Sequence, residues 1–242
     1  MAVDYGIDAP VLVKNLFWRA GTAAVMGVGI FAMNRNEYPG PSMVLLVVFG
    51  LLAIGCLGLA LYMRWSSQVG KLRMRDTLLN KIEWTGDEKV LDVGCGRGLL
   101  LIGAAKRLKK GRATGIDVWS AEDLSGNKLE NAVANAKTEG VADRVKVENG
   151  DARKLTYGDK SFDVVVSSLT LHNIPDASER ASALREIMRV LKPGGQVVIF
   201  DILKSGEYAG VLRESGAEKV DDSDRGYLGF LGGRMVVGRK RV

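Results

Sequence analysis

A chain of 242 residues, 47% hydrophobic and with a net charge of +6, is long enough for one or two packed domains. Its two cysteines rule out a disulfide framework, and a single histidine with no cluster of other ligand types around it gives no metal site. The basic balance raises nucleic acid as a partner, but Arg64, Lys71, Arg73 and Arg75 crowd beside an apolar run, where attraction to anionic lipid, about 1 kcal/mol per charge, is simpler.

No nucleic acid is therefore expected, and Arg239-Lys240-Arg241 reads as a solvated end. In chain order, the first apolar segment is Leu16 to Met33, interrupted by Arg19 near enough its end to snorkel. Asn34 to Ser42, with Pro39, Gly40 and Pro41, predicts a tight loop. Met43 to Met63 is then free of charge until Arg64. At about 1.5 Å per residue it covers roughly 30 Å, the hydrocarbon thickness of a bilayer. Two transmembrane helices, about 16–33 and 43–63, are expected. A signal peptide followed by one anchor is the alternative, although no clean small-residue cleavage site follows, and a buried soluble hairpin is another. Ala23 and Gly27 are small enough to pack the spans together, or to pack a dimer. Lys14 and Arg19 before the first span and four cations after the second, against Arg35 in the loop, place both termini in the cytoplasm.

Trp65 to Ile82 predicts a helix leaving the membrane. Strands are expected at Lys89–Val93, Ala113–Val118, Val145–Asn149, Phe162–Ser168 and Gln196–Leu203, as near-continuous Val/Ile/Leu runs typical of a parallel sheet covered on both faces. Between them Leu129, Ala132, Val133 and Ala136, and Leu184, Ile187, Met188 and Leu191, recur at helical spacing. The second of these helices has a start signal, Asp176 with Glu179, and a stop signal, Pro193-Gly194-Gly195. A helix over Glu207–Ser215 and a strand pair at Glu218–Asp222 and Met235–Gly238 complete the pattern. The expected architecture is α/β, a doubly wound, mostly parallel seven-stranded sheet preceded by two transmembrane helices. It divides as 1–64 membrane hairpin, 65–88 juxtamembrane helix and linker, and 89–242 α/β domain.

Asp92-Val93-Gly94-Cys95-Gly96-Arg97-Gly98 leads from the first of these strands into a helix. Alternating glycines let a ligand approach the backbone and permit positive φ, and the helix start offers free N–H groups. The nicotinamide fingerprint G-x-G-x-x-G is denied by Leu99 in the last glycine's place. The spacing instead resembles motif I of class I S-adenosylmethionine (SAM)-dependent methyltransferases, a Rossmann-like fold. The resemblance extends in order through Asp117, Gly150-Asp151-Ala152, Ser161 to Ser168, and Leu191-Lys192-Pro193-Gly194-Gly195. Asp117 to Asn127 and Leu171-His172-Asn173-Ile174-Pro175 look like a prokaryotic methyltransferase-domain subgroup with a poorly defined acceptor.

That resemblance implies SAM as cofactor and a role for each motif. Asp117 would accept from the ribose diol, or cap the next helix. Val118 or Trp119 would pack on the adenine, or be core. Asp151 and the Ala152 N–H would contact adenine, and Asp92 the methionine ammonium. The Ser167 and Ser168 backbone would line the methionine tail, and Arg97 would face its carboxylate or solvent. His172 could act as general base or merely pack at the rim, while Asp201 and Tyr208 are candidates to line the acceptor pocket. Ser167-Ser168-Leu169-Thr170 stands where amino-methylating enzymes carry Asn/Asp-Pro-Pro-aromatic, and the metal-assisted catechol set is also lacking. Leu203 to Tyr208 is short for a substrate lid. The expected activity is methyl transfer from SAM to a small lipophilic acceptor such as a lipid headgroup, isoprenoid quinol or terpenoid lipid. The alternatives are a tethered methyltransferase of a protein or soluble metabolite, and a SAM-binding module without turnover.

Overall fold

The computed structural model describes residues 3–202, 204–223, 225–228 and 231–242. Helix α1 (Pro10–Asn34) and helix α2 (Pro39–Trp65) form a hairpin closed by a four-residue turn. Pro39, expected in a loop, instead opens α2, where its fixed φ suits the first turn and its missing N–H costs nothing. Val13, Leu16, Ala20, Ala23 and Gly27 recur every three or four residues on α1 and are its buried stripe. A Cβ on Gly27 would lie 2.8 Å from Phe49 Cβ, so the small residues serve the contact between these two helices. Nearly everything else is bare: Val25, Leu51 and Ile54 are 73%, 66% and 69% exposed. Both helices are long and apolar enough to cross a membrane.

From α2 the chain continues through a π-helical turn, Ser66–Gly70, into α3 (Lys71–Leu79). The helix expected over Trp65–Ile82 and set apart from the 89–242 domain is, in its α3 part, a member of the α/β layer, with Leu78 and Leu79 fully buried. The remaining order is β1 (Lys89–Val93), α4 (Leu99–Ala105), β2 (Arg112–Asp117), α5 (Leu129–Thr138), β3 (Val145–Asn149), β4 (Phe162–Ser168), α6 (Ala177–Val190), β5 (Leu191–Asp201), α7 (Tyr208–Glu214), β6 (Ala217–Asp221), β7 (Arg225–Leu228) and β8 (Leu231–Lys240). The sheet runs β3-β2-β1-β4-β5-β8-β6, with β7 added on β8. The β1–β5 pairs are parallel and β8 is antiparallel to its three neighbours, so the sheet is mixed. Residues of α3, α4 and α5 join the core on one face of the sheet, and those of α6 and α7 join it on the other.

One strand and several boundaries differ from the sequence expectation. An eighth strand, β7, was not anticipated, because four residues are too few to show an alternation. β5 begins at Leu191, so Pro193-Gly194-Gly195 lies inside the strand; the ladder to β4 shifts register there, which is where a residue without an N–H is tolerated. β5 closes at Asp201, and Leu203, expected at its end, lies outside the described residues. Ser205–Glu207 is a single 3-10 turn leading into α7.

Candidate active site

The carboxyl ends of β1, β2, β4 and β5 converge at the point where the sheet order turns from β1 to β4, the usual ligand crevice of open α/β sheets. Gly94, Gly96 and Gly98 all have positive φ, at 74°, 52° and 88°. At Gly94 nothing larger fits, since a Cβ would sit 2.1 Å from Thr170 Oγ1. Amides of Gly94 and Cys95 both donate to Ile116 O, at 2.8 and 2.9 Å, tying the turn to β2.

Two carboxylates flank this turn in opposite conditions. Asp92 is 1% exposed, and neither of its oxygens has a hydrogen-bond partner. Burial pushes its carboxyl up to about 8, the nearby Leu101 amide working against the rise and the Asp117 charge adding to it. Asp117, by contrast, is occupied: Oδ2 accepts from the Gly96 amide at 2.8 Å, and Oδ1 from the Trp119 amide at 2.6 Å and Asn127 Nδ2 at 3.2 Å. Those bonds use three of a carboxylate's roughly four lone-pair sites.

A cavity of about 630 Å³ joins these groups. Asp92, Gly94, Gly96, Asp117, Val118, Asp151, Ala152, Ser168 and His172 all line it, as does Arg97. Three residues expected at the cofactor lie elsewhere. Trp119 turns its indole away to donate to Asn149 Oδ1 at 2.7 Å and to pack on the core, which its left-handed φ of 63° permits. Ser167 is 1% exposed and donates from Oγ to Val93 O at 2.8 Å, stitching β4 to β1. Gly98 is the residue preceding α4 and packs towards Ile102. Asp151 reaches the cavity, but Arg153 grips both of its oxygens and holds the carboxyl below the usual range. Arg97 Nη1 is taken by Ser125 O at 3.2 Å and Asp4 at 3.0 Å.

His172, at the rim, stands on Asp201. Its Nδ1 is 2.5 Å from Asp201 Oδ1, an ion-pair distance without hydrogen-bond alignment, and its amide donates to Oδ2 at 2.9 Å. Tyr208 OH also donates to Oδ2, at 3.1 Å; burial and that pairing drive its phenol upward. Asp201 and Tyr208 are fully buried, so they support His172 from below instead of lining the acceptor pocket. The cavity wall also includes Lys71 and Met74, from the Trp65–Ile82 segment expected to help close in the acceptor, and Tyr5, Asp8, Ala9 and Met63, which were not anticipated. Nothing local marks them, because only the folding back of the helical hairpin brings them here.

The residues fit a SAM-like ligand on two observations: an orphaned buried carboxylate where an ammonium belongs, and a glycine turn in which a Cβ at Gly94 would collide. Residues 90–195 match the family described as a methyltransferase domain. That stretch is similar to methyltransferase domains that use SAM. The whole chain is 35% identical over 160 residues to the 27-O-demethylrifamycin SV methyltransferase of Amycolatopsis mediterranei, a match covering 66% of this chain and 54% of that protein. It is 42% identical over 114 residues to the demethylmenaquinone methyltransferase of Staphylococcus aureus, covering 47% and 42%. The chain thus spans about half the length of the curated relatives it matches. In solved structures the fold recurs in the 4+2 cyclase SpnF, with a TM-score of 0.58 at 22% identity over 71% of this chain and 82% of that one. The α/β domain thus shares its architecture with a protein named for another reaction, so its activity rests on the site.

Proposed function

We propose that the chain is a membrane-anchored methyltransferase that moves a methyl group from SAM to a small lipophilic acceptor taken from the bilayer. One observation carries this reading: a single cavity runs from Asp92 and Asp117 to Met63, in the last turn of α2, and Met74 on α3. The exposed apolar surface of α1 and α2 supports the anchor, because a water-facing hairpin would leave that surface uncovered. Both helix ends that meet the domain are on one side of the hairpin, and the Lys/Arg distribution favours the cytoplasmic side. The named relatives that act on a demethylmenaquinone and a demethylrifamycin are consistent with a lipophilic acceptor.

In this reading Asp92 pairs with the methionine ammonium, Asp117 offers its remaining acceptor site to the ribose, and Val118, Asp151 and Ala152 border the adenine. SAM supplies an activated methyl group on a sulfonium. The protein's own part is alignment, which supplies about 7–11 kcal/mol when reacting atoms are held roughly 3–3.5 Å apart. His172 takes the proton of an acceptor hydroxyl. Asp201 lies beside its Nδ1, which leaves Nε2 as the ring nitrogen free to meet the acceptor.

The test is to incubate membranes containing the full-length protein with methyl-labelled SAM and to separate lipid, protein and aqueous phases. Label in the organic phase is expected. Label confined to a protein band or to water-soluble products overturns the lipophilic acceptor, and binding without release of S-adenosylhomocysteine overturns turnover. Removing residues 1–64 is a poor test, since Tyr5, Asp8, Ala9 and Met63 form part of the cavity wall.

A further inference from the structure

Ahead of α1 the chain lies across the domain. Ile7 O accepts from the Ser125 amide at 3.0 Å, Ile7 N donates to Ser125 Oγ at 2.7 Å, and the Ala9 amide donates to Asp123 O at 3.1 Å. With an antiparallel bridge between Asp8 and Leu124, this is a short ladder on the loop that follows β2. Asp4 exchanges two hydrogen bonds with Asn135 and pairs with Arg97. Gly6 packs so closely, at φ 77°, that a Cβ would lie 2.8 Å from Ser125 O and 2.9 Å from Leu124 Cδ1.

One side chain fastens this segment from below. Lys71, the first residue of α3, is 5% exposed, and its Nζ donates to Tyr5 O at 2.8 Å, Gly6 O at 2.6 Å and Asp8 Oδ1 at 3.3 Å. An ammonium has three donors, and all three are spent on residues 5–8. Without it those oxygens would be left without a donor, which penalises the closed arrangement.

The loop beneath the segment belongs to the cofactor site. Asn127 Nδ2 holds both Asp117 Oδ1 and Ser120 O, and Leu124 fills the space where a Cβ on Gly96 would come within 2.9 Å. Arg97, inside the glycine turn, bonds Ser125 O and Asp4 together. The contacts therefore run without a gap from Lys71 through residues 4–9 and the loop 120–127 to Asp117 and Gly96.

We infer that residues 4–9, fastened by Lys71, act as a strap that holds the 120–127 loop in its SAM-binding conformation, coupling the seating of the helical hairpin to cofactor affinity. The inference rests on the reading of the site as a SAM site. Lys71 is a positioning residue here: it acts through the strap. Because the strap ends at Ala9, one residue before α1, and Lys71 follows the turn after α2, the fastening closes only when both ends of the hairpin are in place.

The test uses full-length protein in bilayer nanodiscs, with SAM affinity read by calorimetry and backbone hydrogen exchange followed over 120–127. Lys71→Met and Gly6→Val, which open the strap from opposite sides, are each expected to weaken SAM binding by roughly 10-fold and to speed exchange in the loop. The double variant is expected to be no weaker than the worse single, since both break one device. Lys71→Arg restores part of the affinity. Unchanged SAM affinity in either single variant, or losses that multiply in the double, overturns the strap. Should Lys71→Met fail to accumulate, Ser125→Ala, which removes the acceptor of the Ile7 amide, replaces it under the same criteria. Failure of the wild-type protein to bind SAM at all would instead overturn the SAM-site reading.

Discussion

The α/β domain and the helical hairpin use the same aliphatic residues in opposite ways. Val90 and Leu91 in β1 are fully buried, whereas Leu51 and Ile54 in α2 are mostly bare. In the domain, removal of apolar area from water, worth about 25 cal/mol per Å², holds helices on the sheet. In the hairpin little such gain is taken beyond the Val13-to-Gly27 stripe and Ala60, so most of its apolar surface is left without a partner among the described residues. The difference teaches that burial inside the protein is a poor guide to what an apolar residue is for.

The comparison is broken most severely by placing a charge on each side of it. Val90→Arg buries an unpaired cation in the sheet and is expected to cost more than about 4 kcal/mol, seen as loss of soluble fold and of SAM binding. Ile54→Arg is expected to cost about 2.5–3.5 kcal/mol of insertion while the domain stays folded, seen as loss from the membrane fraction. If Ile54→Arg left membrane recovery intact, the hairpin would have to be covered by protein.

Asp92→Asn sharpens the comparison within the domain, because it removes a charge that the interior does not want. A lost charged contact of about 1.5–3 kcal/mol predicts SAM binding weaker by roughly 10- to 100-fold, read by calorimetry. The same variant is expected to raise the melting temperature of the ligand-free protein. The folded carboxyl lies near 8, above its ordinary 3.8, so it favours the protonated form. Its contribution to stability is therefore present at low pH and is lost as pH rises towards 8. Pairing with an ammonium requires the ionised form, so SAM affinity should climb from pH 6 to about 8 with release of a proton, and this climb should vanish in Asp92→Asn. The smallest effect is expected for Trp119→Phe, which forfeits the Asn149 bond for about 1 kcal/mol of stability and leaves SAM affinity unchanged.

How much of the site was legible depends on how local its signals are. The glycine turn, Asp92 and Asp117 were readable because a strand-to-turn-to-helix junction writes its φ requirements directly into the residues. Trp119 takes the core position that was its alternative, and the Ser167 side chain turns to Val93, because the side to which a residue at a strand end turns is decided by its neighbours, here Asn149 and Val93. Asp201 and Tyr208 were found as candidates but given the wrong place, since nothing along the chain reveals that a carboxylate at the end of β5 sits under His172.

Taken alone, the sequence determined the order of strands and helices, the glycine cradle and the two apolar helices, all set by spacing within a few dozen residues, while the methyltransferase character came from the resemblance of its motifs. The tertiary structure decided the antiparallel closure by β8, the entry of α3 into the core, the pairing of His172 with Asp201 and the strap fastened by Lys71. Each of these joins residues far apart in the chain, such as Gly6 to Lys71 or Asp4 to Asn135. Contacts of that kind leave no periodicity to read: they come into being only when packing brings both partners to one place.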